Sequence, residues 1–379
     1  MPQLTEQNKC TGCSLCHDIC KKSAIEMLED DTGFLYPQVN EKLCVNCGLC
    51  EKNCPINCET IFNSSKEAYY GRYRENNAKS SSGGMFRAIA SIFANNKDDV
   101  VGAVFDHNRV YHELLKGNDR YLEACGSKYL QSDMRFTYRK IENALNNGKK
   151  VLFTGCPCQC DAVKRYFEKN RNAGKLFTCE IMCHGVPSPG VFRKYIDYLE
   201  NKERSKVISY NFRSKVYGWR RPSIEICYLN GKEKIYTHAE SPFHNWFGRH
   251  LSLRVSCFNC KYRNTERVAD ITIGDFWGLI DLEISVDYED NGVSAILINT
   301  QKGKDILESI KNICELTPIS CTQAFFHNRP SVENFPIPQE RRAFFNDYKT
   351  VSIEKLIRLY PPENIIVSWF RKIKRYLER

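Results

Sequence analysis

No apolar run in this chain of 379 residues approaches the length needed to cross a bilayer. Its opening segment, Met1 to Asn8, also lacks the apolar stretch that heads a secretory signal. These absences lead to the expectation of a cytoplasmic protein in a reducing compartment. Arginine is missing from residues 1–58, where five Lys stand against eight Asp and Glu, a net charge of −3. The whole chain is +10, so the remainder carries +13. A body so basic can dock an acidic module, hold a pyrophosphate or receive an acidic partner; scattered Lys and Arg on a solvated surface give the same balance. No nucleic-acid motif accompanies the charge, and no nucleic-acid partner is expected. With 42% hydrophobic and 26% charged residues, the composition is that of an ordinary globular protein of two or three domains.

Cysteine, by contrast, is abundant. Twenty Cys are too many for an unligated chain in a reducing compartment, and disulfide scaffolds belong to small secreted domains. The first eight form two like runs, Cys10-x2-Cys13-x2-Cys16-x3-Cys20 and Cys44-x2-Cys47-x2-Cys50-x3-Cys54-Pro55. Three thiolates at this spacing wrap three corners of an iron–sulfur cubane, and the fourth Cys of each run reaches across to the other cluster. Cys10, Cys13, Cys16 and Cys54 are therefore assigned to one 4Fe–4S centre, and Cys44, Cys47, Cys50 and Cys20 to a second. The segment resembles a bacterial two-cluster ferredoxin, with Lys21 in place of the proline that usually follows the fourth Cys. Zinc sites use C-x2-C pairs and give no reason for triple runs. Between the runs, Ala24–Leu28 and Phe34–Tyr36 alternate around Asp30–Gly33 as a hairpin would. Polar residues 63–66 end the module, which sets its boundary at residue 62.

The remainder reads as α/β. Ser80-Ser81-Ser82-Gly83-Gly84 precedes Met85, Phe86, Ile89, Ile92 and Phe93 at helical spacing. Such a turn either presents backbone N–H groups to a phosphate or simply caps the helix. A second small-residue turn, Gly126-Ser127-Lys128-Tyr129, follows the strand 100–105. Strand 150–154, turn 155–159 and a helix are succeeded by strand 176–182, turn 183–189 and another helix. This repetition predicts neighbouring parallel strands with both turns at one carboxyl edge, where open α/β sheets bind ligands. Strands over 207–212 and 223–229 flank a basic, aromatic stretch, Arg213 to Arg221, and Asn230-Gly231 signals a hairpin. Cys257-x2-Cys260 precedes the strand that begins at Asp270. A basic amphipathic helix is expected from Ile365, with Ile366, Trp369, Ile373 and Leu377 on one face; it can pack on the protein or lie on an anionic membrane. The expected divisions are 1–62, 63–148, 149–345 and a helical tail 346–379.

Cys158, Cys183, Cys257 and Cys260 remain in turn-like contexts. One C-x2-C pair and two single Cys from adjacent turns can form a four-thiolate site, or stay as buried free thiols. Cys156 and Cys160 lie nearby without an assigned role. Ser82-Gly83-Gly84, Gly126–Tyr129, Pro157-Cys158-Gln159, Cys183–Pro189, Ser256–Cys260 and Asp270–Gly278 occur, in this order, as in the family of coenzyme F-420 hydrogenase/dehydrogenase beta subunits, which the chain resembles over residues 66–320. The resemblance implies a flavoprotein binding FAD, with Ser81 to Gly84 and Gly126 to Tyr129 at the flavin. It also implies a third 4Fe–4S cluster on Cys158, Cys183, Cys257 and Cys260, with Cys156 an extra cysteine. The implied activity is a ferredoxin-linked oxidoreductase, with reduced ferredoxin or another redox protein as donor and a small molecule as acceptor. A non-catalytic subunit of a larger redox complex, or a homo-oligomer, is the other organisation it allows. Lys128 and His184 are the candidate catalytic residues, because both sit in motif turns beside the expected flavin.

Overall fold

Asp30-Asp31-Thr32-Gly33 closes the first element, a hairpin of β1 (Ile25–Glu29) and β2 (Leu35–Val39). In the computed structural model, which describes residues 2–75, 80–287 and 289–362, this hairpin lies between two short helices that follow the cysteine turns. They are α1 (Leu15–Ile19) and α2 (Leu49–Lys52), each entered through a residue in the left-handed region, Ser14 and Gly48. The ferredoxin-like arrangement expected for residues 1–62 is thus present.

The body is built on one eight-stranded sheet. Its strands are β3 (Glu67–Tyr73), β4 (Asp99–Asp106), β5 (Arg109–Leu115), β6 (Val151–Gly155), β7 (Leu176–Ile181), β11 (Ile271–Asp275), β12 (Ser294–Ile298) and β13 (Cys314–Ile319), ordered β13-β3-β12-β11-β7-β6-β4-β5. The central β4, β6, β7 and β11 run parallel, and the flanking strands are antiparallel. A parallel strand is covered on both faces, and β6 is accordingly apolar and buried at nearly every position. Alternation sorts the two faces. Val100 and Leu152 face helices α3 (Met85–Asn95) and α8 (Gln301–Ile310), whereas Val101, Val151 and Phe153 face α4 (Thr137–Asn146) and α5 (Pro157–Phe167). Strands from both sides of residue 148 share this sheet, so the division at 148/149 marks no break in the architecture.

A second layer covers one end. Helix α6 (Pro189–Glu203) starts with Ser188 accepting from Val191 N and Pro189 in its first turn, both strong start signals. It packs on the antiparallel sheet β8 (Val207–Ser214), β9 (Ser223–Tyr228) and β10 (Glu233–Thr237), with Asn230-Gly231 turning β9 into β10. Helices α7 (Pro242–Gly248), α9 (Glu340–Thr350) and α10 (Ile353–Leu359) close this core around Trp246, Phe344 and Leu356. The boundary expected at 346 falls inside α9, because Phe344 and Phe345 anchor that helix to the body. The amphipathic helix expected from Ile365 lies outside the described residues. Among the described residues no helix is long and apolar enough to cross a membrane.

The parallel pairing positions the site. Since β6, β7 and β11 are adjacent and parallel, the turns after Gly155, Ile181 and Asp275 emerge at the same sheet edge. The strand–turn–helix repetition predicts the β6/β7 pair correctly. The chain after β7, however, leaves the main sheet for the second layer, and the third parallel strand is β11, more than eighty positions later.

Candidate functional site

The module brings its thiols together in two sets. Burial raises the Cys13 pKa to about 12, and the neighbouring charges acting on it are those of Cys10 and Cys54. Cys16 is also held well above the usual thiol range by burial, with Cys13, Cys10, Cys54 and then Cys50 adding to the shift. Cys50 instead feels Cys20 and Cys47. Cys54 therefore stands with the first run and Cys20 with the second. In the second set Cys47 is exposed and Cys50 buried, whereas Cys13 of the first set packs against the body beside Tyr138. Among the described residues no three His, Cys, Asp or Glu side chains converge tightly enough for a single metal ion. A thiol that burial keeps protonated is the form from which iron displaces a proton on binding, so an all-cysteine donor set suits iron–sulfur ligation.

The seam between module and body is made by buried polar groups. Helix α4 begins at Phe136, which has φ 66° and no capping side chain of its own. The buried Asp18 carboxylate supplies the cap, accepting from Phe136 N at 2.9 Å and Tyr138 N at 3.1 Å. Arg254 is fully buried; it donates to the carbonyls of Cys10 at 2.7 Å and Leu35 at 3.1 Å, and to Gln131 Oε1 at 2.9 Å. Tyr138 completes the seam by donating to Cys13 O at 2.7 Å.

Behind this seam five body cysteines gather. Burial raises the Cys158 thiol well above its usual range, and Cys260, Cys183, Cys257 and the module's Cys13 add to the shift. Cys257 is pushed up to about 12 by burial, with Cys183 and Cys260 beside it. Cys183 and Cys156 share a sulfur–sulfur hydrogen bond at 3.6 Å, and Gly185 N donates to Cys183 Sγ at 3.4 Å. All four cysteines named from sequence are in this group, together with Cys156, which is the N-cap of α5. Cys160 turns away into the core, fully buried toward Gly155 O and Cys179 O.

On the far side of Cys156 and Cys183 opens a cavity of about 610 Å³, within the range of cofactor sites. Both expected flavin turns line it, and they touch: Ser127 N donates to Ser81 Oγ. Gly84, with φ 83°, is the N-cap of the 11-residue α3, whose first turn borders the cavity with unpaired N–H groups. The buried hydroxyl of Ser80 has no partner among the described residues, and Ser80 and Thr154 both border the cavity. These features fit a phosphate-bearing cofactor such as FAD. Gly83 plays a different part. A Cβ there would meet Gly71 O at 2.5 Å and Ser294 N at 2.8 Å, so it packs against β3 and β12 and does not line the cavity.

Lys128 and His184 both border the cavity. Lys128 Nζ donates to Cys125 O at 2.6 Å and Glu123 O at 3.1 Å, and burial lowers its pKa to about 8. His184 Nε2 lies 2.7 Å from His250 Nε2; burial, then His250 and Arg263, bring it down to about 3. A neutral His184 packed on Phe247 serves as a hydrogen-bonding wall group.

Residues 148–321 match the family model for the C terminus of the coenzyme F420 hydrogenase/dehydrogenase beta subunit, and residues 9–58 match a 4Fe-4S dicluster domain. Over residues 148–321 the chain is thus similar to this family of beta subunits. One component of the F(420)H(2) dehydrogenase of Methanosarcina mazei, its F subunit, is 21% identical over 83% of this chain and 86% of its own length. An uncharacterised ferredoxin of Methanocaldococcus jannaschii is 33% identical over 58 residues, 15% of this chain and 74% of that protein. In the F420-reducing NiFe hydrogenase complex from Methanosarcina barkeri, one chain aligns with 72% of this chain and 92% of its own length, at 16% identity and a TM-score of 0.47. The chain is an iron–sulfur electron-transfer protein of the oxidoreductase type.

Sequence reasoning misses three polar groups in this protein. Asp18 and Arg254 give no local signal, since an Asp in a short helix and an Arg among apolar residues are each unremarkable until the seam forms. Arg213, buried at the cavity wall, lies in the basic stretch noted above, where nothing about its charge sets it apart. Its signal is the loss of alternation at Phe212-Arg213-Ser214, all three of which are buried.

Proposed function

We propose that this protein is an iron–sulfur flavoprotein oxidoreductase that passes electrons from reduced ferredoxin, or another redox protein, through 4Fe–4S clusters to FAD and on to a small-molecule acceptor. The observation that carries the reading is the order of the thiol sets. The second set (Cys20, Cys44, Cys47, Cys50) is followed by the first set (Cys10, Cys13, Cys16, Cys54), then by the body set beside Cys13, and then by the cavity that Cys156 and Cys183 border. Cys158, Cys183, Cys257 and Cys260 are the proposed ligands of the body cluster. Ser81, Ser82 and Gly84, with Gly126 to Tyr129, are the proposed flavin contacts, and Gly83 supports their turn from behind. When bound, a flavin supplies the exchange between single electrons and an electron pair. The chain contributes α3's N–H groups for a phosphate and a wall that includes Lys128 and the neutral His184 as donors near the acceptor.

A second reading, an electron-transfer subunit of a larger redox complex, draws support from the Methanosarcina mazei relative, which is named as a subunit. Leu43 and Val45, exposed at 50% and 59% beside Cys44, give the module an apolar face toward a partner. Anaerobic purification followed by iron, sulfide and flavin analysis tests the proposal. The expected content is about 12 iron, about 12 sulfide and about one flavin per chain. A reconstituted protein that stops at about 8 iron removes the body cluster, and one replete in iron but unable to take up FAD removes the flavin.

A further inference from the structure

We infer that the cavity holds a built seat for an oxyanion, a carboxylate or phosphate group of the small-molecule acceptor, formed by the unpaired edge of Arg213. The inference rests on reading the cavity as the redox site and adds the chemical class of what enters it.

Arg213 reaches the cavity because β8 is irregular. Strand alternation would place it opposite Phe212, yet Phe212, Arg213 and Ser214 are all buried. The register with β9 shifts between Asn211 and Ser214, and such a bulge re-aims a side chain. The guanidinium ends only 5% exposed. A charge so buried requires partners. It has them on one side alone: Nη1 pairs with Asp275 and lies 3.4 Å from Tyr129 Oη, while the buried Nε and Nη2 have no partner among the described residues. Asp275 is held away from that edge, with Oδ2 on Nη1 and Oδ1 accepting from Trp219 Nε1 at 2.8 Å.

The unpaired atoms are the two parallel donors of one guanidinium edge. Elsewhere in this protein the same edge grips carboxylates: Arg72 holds Glu315 at 3.1 and 3.3 Å, and Arg120 holds Glu123 at 2.9 and 3.1 Å. Such a fork matches planar carboxylate or phosphate oxygens. Its orientation is fixed, since the guanidinium lies 5.1 Å over Trp277, which stacks on Trp219 at 4.5 Å. An acceptor bearing an oxyanion would satisfy both donors and be held against the same wall as Tyr129.

The flavin's own pyrophosphate is the other source of an oxyanion, and the test separates the two. Tryptophan fluorescence of the full-length holoprotein is titrated with inorganic phosphate and, separately, with acetate, at constant ionic strength made up with chloride. The expected result is a saturable change in the wild type, with midpoints about tenfold or more higher in Arg213→Gln at unchanged flavin content. Arg120→Gln, at an exposed pair, should leave the midpoints alone. Absence of a saturable response in the wild type overturns the seat. Flavin loss in a folded Arg213→Gln protein assigns the fork to the flavin and likewise overturns it. Should Arg213→Gln fail to fold, Arg213→Lys, which keeps the charge but loses the fork, must show the same weakening. If the protein carries no flavin at all, the proposed function fails, while the wild-type titration still decides whether the fork binds oxyanions.

Discussion

The module and the body gather thiols around a point by opposite means. In the module, three members of each set come from a single run of seven residues, and the crossing of Cys20 and Cys54 makes each run depend on the other. In the body, the set is delivered by the ends of β6 and β7 and by the segment that precedes β11, so it exists only once three parallel strands are paired. The difference teaches that each set of the module depends on the other run, whereas the set of the body depends on the pairing of the sheet. The two are nevertheless not separate bodies. Asp18 caps a helix of the body, and Arg254 ties Cys10 and Leu35 to Gln131.

The largest expected effect breaks the comparison at its root. Cys54→Ala removes the ligand that one run lends to the other, so the set around Cys10, Cys13 and Cys16 should lose its cluster even though the substituted residue lies in the second run. Iron should fall by about a third, with the remaining signals unaltered. Cys260→Ala should remove a similar amount of iron from the body while both module clusters persist. Iron analysis with EPR of each variant distinguishes these patterns. Loss confined to the centre around Cys44, Cys47 and Cys50 in Cys54→Ala would contradict the crossed assignment.

The same contrast explains what is legible in the sequence. The module can be read because its ligands are spaced by the geometry of a few residues, and the hairpin between the runs announces itself by alternation around Asp30–Gly33. Cys158 and Cys183 can be read because each follows a strand, and adjacent strands of a parallel sheet end at one edge. Gly83 reads as a phosphate contact because nothing in a Ser/Gly turn distinguishes the residue that touches a ligand from the residue that touches the next strand; only the approach of Gly71 O decides it. Asp18, Arg254 and His112 are polar residues with partners 118, 244 and 42 positions away. No local pattern encodes such pairings.

A smaller effect sharpens the seam. Asp18→Ala leaves two backbone N–H groups at the start of α4 without their acceptor, the buried one of Tyr138 and the part-buried one of Phe136, and Phe136 has no side chain to replace it. Loss of a cap together with unsatisfied donors should cost about 2–3 kcal/mol. Denaturant unfolding under anaerobic conditions should show that loss, and limited proteolysis should cut near residues 60–66 sooner than in the wild type. Asp18→Asn, which keeps one acceptor oxygen, should fall between the two. If Asp18→Ala unfolds like the wild type, the module does not brace α4 and the two regions are more independent than the seam implies.

The smallest effect concerns the body alone. The histidines that burial holds neutral, His112, His184, His238 and His244, all belong to it. His112 is the one whose surroundings are most fully defined. Its Nε2 is 3.0 Å from Thr154 O, which can only accept, so Nε2 carries the proton and Nδ1 accepts from Ser132 Oγ at 2.9 Å. Gln159 Nε2 donates to the same Ser132 oxygen at 2.9 Å, which orients that hydroxyl toward the ring. A second ring proton would have to displace the Ser132 hydroxyl hydrogen from Nδ1, and burial lowers the pKa from 6.5 to about 4. Between these values the unfolded chain binds a proton that the native chain refuses. The contribution is therefore complete above pH 6.5, falls as pH drops, and is fully lost below about 4. At pH 5 the loss is about 2 kcal/mol. His112→Gln keeps a donor for Thr154 O but has no titrating ring, so the unfolding free energy of the wild type should drop more steeply than that of the variant from pH 7 to pH 5. Equal slopes would mean that the buried ring accepts its second proton in the native state, and the tautomer assigned to it would be wrong.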